Sequence, residues 1–86
     1  MLIRWSRHAK QRYAERAAKY GLNYGELELN IKEQKIKIKE KNNKFKTIFK
    51  IGKNIMTAIK IDSKDFIYVL TLWEANEEEA KIWKTK

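Results

Sequence analysis

The 86-residue sequence has no cysteine and a single histidine. Without cysteine there is neither a disulfide framework nor a thiolate zinc site, and one histidine cannot assemble a metal centre by itself, so no metal is expected. The same absence makes a reducing, cytoplasmic setting the default. No Gly-rich phosphate loop or Walker-type lysine occurs, and no cofactor is expected. The longest apolar runs are strand-length and the first residues lack an apolar signal core, which predicts neither a membrane span nor a secretory peptide. A chain of this size forms one domain, residues 1–86, that buries roughly 60–65% of its unfolded surface and is marginally stable.

Acidic residues are scarce in one part of the chain only. Residues 1–60 hold 16 Lys/Arg against 5 Asp/Glu, and residues 61–86 hold 4 against 6, so the net charge of +9 comes from a local basic excess. Such a patch favours a polyanion. RNA comes first and DNA is an alternative; an anionic membrane ranks below both, because no long basic amphipathic helix with a wide apolar face is present. A Lys/Glu-rich, cysteine-free composition is also that of a thermophile protein, in which lysines simply solvate a face.

The stretch Ser6–Arg16 concentrates the chemistry, with the histidine and three of the four arginines. As a helix it places His8, Arg12 and Arg16 on one stripe and Trp5, Ala9, Tyr13, Ala17 and Tyr20 on an apolar neighbour. Ser6 is a preferred N-cap, and Gly21 supplies the left-handed stop, so the first helix spans Arg7 to Tyr20. Asn23 with Glu26 reads as a capping box for a second, shorter helix with Leu27 and Ile31 on its apolar edge.

From Lys35 the period becomes 2. Lys35–Lys41 reads as a half-buried strand with one lysine face, and Asn42-Asn43 as a type I′ turn. The return strand, Lys44–Ile51, sets Phe45, Phe49 and Ile51 against Lys44, Lys46 and Lys50. Gly52-Lys53-Asn54 turns again, and Ile55–Ile61 and Phe66–Trp73 are apolar on both faces, which predicts central strands with Ile59 and Leu70 deeply buried. Asn76 with Glu79 is a further capping box, opening a tail helix. The expectation is an α+β domain: two N-terminal helices packed on a four-stranded antiparallel meander, then a short C-terminal helix.

Ser6-x-His8-Ala9-x-x-Arg12-Tyr13-x-Glu15-Arg16, the helix opening near Gly21-Leu22 and the final strand's Leu70-Thr71-Leu72-Trp73 together resemble a small domain of unknown function. It is grouped with the RelE-like ribonuclease toxins of the barnase/colicin/RelE superfamily, often carried by plasmids, viruses and integrated elements. The resemblance implies a RelE/barnase-like α+β fold and metal-independent RNA cleavage, with the substrate over the sheet and its own 2′-hydroxyl as nucleophile. It further implies that the family's His, Arg and Arg fall on His8, Arg12 and Arg16, with Thr71 as a possible strand partner; a toxin of this kind is held by an antitoxin protein or kept harmless by expression control. The chain lacks the clustered strand arginines and C-terminal tyrosine of some ribosome-dependent relatives.

Residue by residue, His8 is a candidate general acid or base, because imidazole exchanges protons near neutrality. Its structural alternative is a first-turn histidine that meets backbone or solvent. Arg12 and Arg16 are candidates for gripping a phosphate and stabilising a phosphorane; otherwise Arg12 pairs with Glu15 and Arg16 is free. Lys35, Lys37, Lys39, Lys44, Lys46 and Lys50 are candidate RNA contacts, or else a solvated edge that blocks edge-to-edge pairing. Trp5, Tyr13 and Tyr20, like Tyr68 and Trp73, read as core before stacking platforms. Three functions compete: a RelE-like ribonuclease toxin, a non-catalytic nucleic-acid-binding protein of a plasmid or virus, and a module that binds an acidic protein partner.

Overall fold

Ser6 starts the first helix as its composition suggests. Its backbone is extended and its hydroxyl oxygen accepts from the Ala9 amide at 3.0 Å, opening α1 (Arg7–Tyr20). Gly21, at φ 65°, ends it and returns its amide to the Ala17 carbonyl. Asn23 caps α2 (Tyr24–Glu33) by accepting from the Glu26 amide at 3.0 Å, and Leu27 and Ile31 are fully buried on its inner edge. This computed structural model describes residues 2–33 and 35–85.

The strands are β1 (Leu2–Trp5), β2 (Lys37–Lys39), β3 (Lys44–Ile51), β4 (Asn54–Asp62) and β5 (Phe66–Glu74), and α3 (Glu77–Thr85) follows them. The sheet has the order β1-β5-β4-β3-β2. From β2 to β5 it is the expected antiparallel meander. Asn42 and Asn43, at φ 58° and 62°, form the expected left-handed turn. Gly52, at φ 57°, and Lys53 make the next one, with Asn54 already paired to Ile51 in β4.

Three expectations are corrected. The sheet has five strands rather than four, because Leu2–Trp5 pairs parallel to β5, from Leu2 opposite Phe66 to Trp5 opposite Val69. Four residues are too few to display a period, and the pairing is anchored from outside the strand. The Ser6 amide donates to the Val69 carbonyl at 2.9 Å and its hydroxyl to the Leu70 carbonyl at 2.7 Å. The hairpin strand is also shorter than Lys35–Lys41, with Lys35 and Ile36 ahead of it and Glu40 and Lys41 in the connection.

The third correction concerns the core, which lies between the sheet and α1 and α2. It includes Trp5, Ala9, Leu27, Ile31, Phe49, Met56, Ala58, Ile67, Val69 and Leu72. Ile59 and Leu70 are only half-buried. Ile59 alternates with the inward Ala58, so it points to the other sheet face. Leu70 is the extra residue of a β-bulge: Ile59 pairs with Thr71 and Lys60 with Val69, leaving Leu70 outside the ladder. Leu72→Ala is therefore expected to cost about 2–5 kcal/mol in urea denaturation and Ile59→Ala clearly less; equal losses would contradict this division of faces.

The second face is covered in part by α3, through its contacts with β3 and β4. No helix among the described residues is long and apolar enough to cross a membrane.

Candidate nucleic-acid interface

The apolar stripe of α1 binds it along β5. Ala9 is buried and Tyr13, Ala17 and Tyr20 pack against the core. At one end Ser6 grips Val69 and Leu70, and at the other the Tyr20 hydroxyl donates to Glu74 Oε1 at 2.6 Å. The helix thus follows the second half of β5, past the point where β1 stops pairing at Val69. Burying Ala9 and Tyr13 leaves the adjoining row, His8–Arg12–Arg16, along one flank.

Arg12 Nε donates to His8 Nε2 across 3.4 Å, a long hydrogen bond on the exposed side of the helix. Arg12 Nη1 lies 3.4 Å and Arg16 Nη1 3.5 Å from the same Glu15 oxygen. Arg16 is therefore not free, contrary to expectation; Glu15 is placed between both cations. These are solvent-exposed pairs of at most about 1 kcal/mol, which a backbone phosphate can displace. Beyond Arg16 the flank opens into a cleft of about 280 Å³ lined by Arg16, Lys19, Tyr20, Trp73 and Glu74.

Thr71 stands two residues before Trp73 on the same face of β5, half-buried and opposite Ile59. Among the described residues no hydrogen bond joins it to His8, Arg12 or Arg16. The fold thus gathers the three α1 residues in one row and sets Thr71 beside the Trp73 wall of the cleft.

The six hairpin lysines do not share a face. The Glu40 amide reaches the Lys44 carbonyl at 2.7 Å, which makes Lys41 an extra residue and shifts the ladder by one. Lys37 then pairs with Thr47 and Lys39 with Phe45. A shift of one residue reverses every side chain, so Lys37 and Lys39 share the Phe45 side while Lys44, Lys46 and Lys50 emerge on the opposite one. Lys35, before the strand, is exposed and 4.0 Å from Glu33.

Two of these lysines are structural. Lys37 Nζ sits 2.6 Å from Asp62 and 4.2 Å from the centroid of the Phe45 ring. Asp62 also holds Lys60, fully buried, at 2.7 Å. Burial alone would raise the Asp62 pKa, but the hydrogen bonds and charges of Lys37 and Lys60 hold it below the usual carboxylate range. Burial pushes Lys60 down, against the opposing pull of Asp62.

Lys46 Nζ lies 3.2 Å from Glu79, whose other oxygen accepts from Thr57, Trp73 and the Asn76 amide at 3.1, 2.9 and 3.0 Å. Burial would raise the Glu79 pKa; these donors outweigh it and hold the carboxyl below its ordinary value. Glu79 was legible as half of a capping box, and its link to the sheet was not, because Thr57 and Trp73 lie far away in sequence. It orients Trp73 and so shapes the cleft beside Arg16. Lys39, Lys44 and Lys50 have no acidic partner among the described residues. Nor is any cluster of three His, Cys, Asp or Glu among them placed to hold a metal ion.

Models of known protein families, curated proteins and solved structures give no match to this chain.

Proposed function

We propose that this chain is a small RelE-like endoribonuclease that cleaves RNA without a metal ion in the cytoplasm, as the toxin of a toxin–antitoxin pair or of a mobile element. The observation that carries the reading is an imidazole within hydrogen-bond reach of a guanidinium, on a helix flank that continues to a second guanidinium and a cleft. His8 Nε2 takes the proton of a 2′-hydroxyl as the oxygen attacks the adjacent phosphorus. Arg12 and Arg16, exchanging Glu15 for the phosphate, stabilise the charge that builds on the phosphorane. The 5′-oxygen leaves with a proton from solvent, and the product ends in a 2′,3′-cyclic phosphate. DNA, lacking the 2′-hydroxyl, is bound and not cut. Thr71 is a candidate donor to the substrate strand, and an acidic antitoxin segment suits the same basic surface.

The decisive experiment incubates the protein with single-stranded RNA and a chelator. Fragments ending in cyclic phosphate are expected, and their absence would remove catalysis. One observation favours a non-catalytic nucleic-acid-binding protein instead: among the described residues Arg12 is the one side chain hydrogen-bonded to His8, so no second proton-transfer group touches it.

The lysines give a separate prediction. Lys39→Ala and Lys50→Ala, which disturb no ion pair, are each expected to weaken binding to all RNA sequences. Each engaged lysine should lower the magnitude of the log–log salt slope by about 0.7 on single strands. Lys37→Ala and Lys46→Ala lose a structural pair as well, and should also lower the urea midpoint. A salt slope unchanged in all four variants would exclude the hairpin from the interface.

A further inference from the structure

A second cleft opens on the other flank of α1. Successive helical residues are about 100° apart, so Lys10 lies far round the helix from His8. There Ile3, Arg4, Trp5, Lys10, Tyr24 and Tyr68 line a space of about 420 Å³, within the range of small-ligand sites. Neither the proposed cleavage nor the hairpin lysines make use of it.

Its charged lining groups are both cations, and among the described residues neither Arg4 nor Lys10 has a carboxylate partner. That sets them apart from Arg12, Arg16, Lys37 and Lys46. The Arg4 guanidinium stands 5.2 Å from the centroid of the Phe66 ring, and Tyr68 is its partner in the strand ladder. Stacking on Phe66 steadies a planar, anion-binding fork at the rim of the cleft.

The rest of the lining is mainly aromatic, and its most accessible ring is fixed. Tyr24 is 42% exposed. Its ring nonetheless packs 5.1 Å from Trp5 and 5.3 Å from Tyr13, the latter edge-on at 77°. Its hydroxyl is hydrogen-bonded to Glu28, which also accepts from the Trp5 indole at 2.9 Å. Burial, then Glu28, push the phenol up to about 12, so the ring stays neutral. An exposed ring already held in place loses little freedom when a base stacks on it.

We propose that this cleft binds a nucleotide unit, with its base stacked on Tyr24 and its phosphate between Arg4 and Lys10. The site needs no chemistry at His8. The unit is either a free mononucleotide or one residue of a single strand, since both present a base beside a phosphate.

The test is an NMR titration of the full chain with 5′-AMP, adenosine and a hexamer of deoxyadenylate, which has no 2′-hydroxyl and cannot be cleaved by transesterification. AMP or the hexamer is expected to shift the Trp5 indole and the amides of Arg4, Lys10 and Tyr24. A response to AMP identifies the mononucleotide, and a response to the hexamer with a weak one to AMP identifies the strand. Arg4→Gln and Tyr24→Leu should each weaken binding about tenfold. Arg4 is exposed, so Arg4→Gln reports on binding even if Tyr24→Leu fails to fold. Adenosine binding as tightly as AMP, shifts confined to the Arg16–Trp73 cleft, or unchanged affinity in Arg4→Gln would overturn the proposal.

Discussion

Glu79→Ala is expected to lose about 3–5 kcal/mol of stability, the usual cost of removing one partner of a buried, hydrogen-bonded charge pair. Glu79 is 3% exposed. Its carboxylate joins the first turn of α3 to β3 through Lys46, to β4 through Thr57 and to β5 through Trp73. Truncation leaves three donors and the Asn76 amide without that acceptor. A chain this small has only about 4–13 kcal/mol in all, so much of it is at stake. Glu79→Gln, which keeps an acceptor oxygen, should lose less. The pH dependence follows from the same contacts. With a folded pKa below the ordinary 4.5, Glu79 contributes its full stabilisation above that pH and loses it as pH falls through the folded value. Asp62, likewise held low, acts with the same sign below its ordinary 3.8. Urea midpoints measured down the acid range should therefore fall below about pH 4.5 in wild type, and less steeply in Glu79→Gln. Parallel pH profiles would mean that Glu79 is not the titrating group.

What could be read from the sequence depended on how local its cause was. The limits of α1 follow from Ser6 and Gly21, and the left-handed turn from two adjacent asparagines; each is settled within a few residues. The row His8–Arg12–Arg16 is equally local, a consequence of helical period. Register is not local. The extra residues Lys41 and Leu70 each shift a ladder by one, and neither carries a glycine or proline to announce itself. Lys41 splits the hairpin lysines between two faces, and Leu70 leaves the core to offer its carbonyl to Ser6. Strand β1 was hidden because its partner lies more than 60 residues away. The structural duties of Lys46, Lys60 and Glu79 were hidden too: a charge reads as solvated until a distant element is found to bury it. The composition therefore overstated the number of lysines at liberty to meet a polyanion.

His8→Ala is expected to reduce RNA cleavage by about 10²–10⁴-fold, the range supplied by a positioned acid–base group, while leaving affinity and salt slope nearly as in wild type. Binding belongs to the cations, and proton transfer to the imidazole. Arg12→Ala should move both quantities, since a guanidinium at the scissile phosphate holds the bound RNA and stabilises the transition state more strongly. It also removes the group hydrogen-bonded to His8, so its loss in rate should exceed its loss in affinity. Arg16→Ala, one turn further on and lining the cleft, should weigh more on binding. Because His8 is exposed, His8→Ala should keep the wild-type urea midpoint, and a fall in rate cannot then be traced to unfolding. Cleavage rates with a chelator present, set beside filter-binding affinities at several salt concentrations, decide the matter. If His8→Ala cuts like wild type, the imidazole is structural and the surface binds nucleic acid without reacting with it; if it binds far more weakly, His8 contacts the substrate in the ground state and the assignment of proton transfer fails.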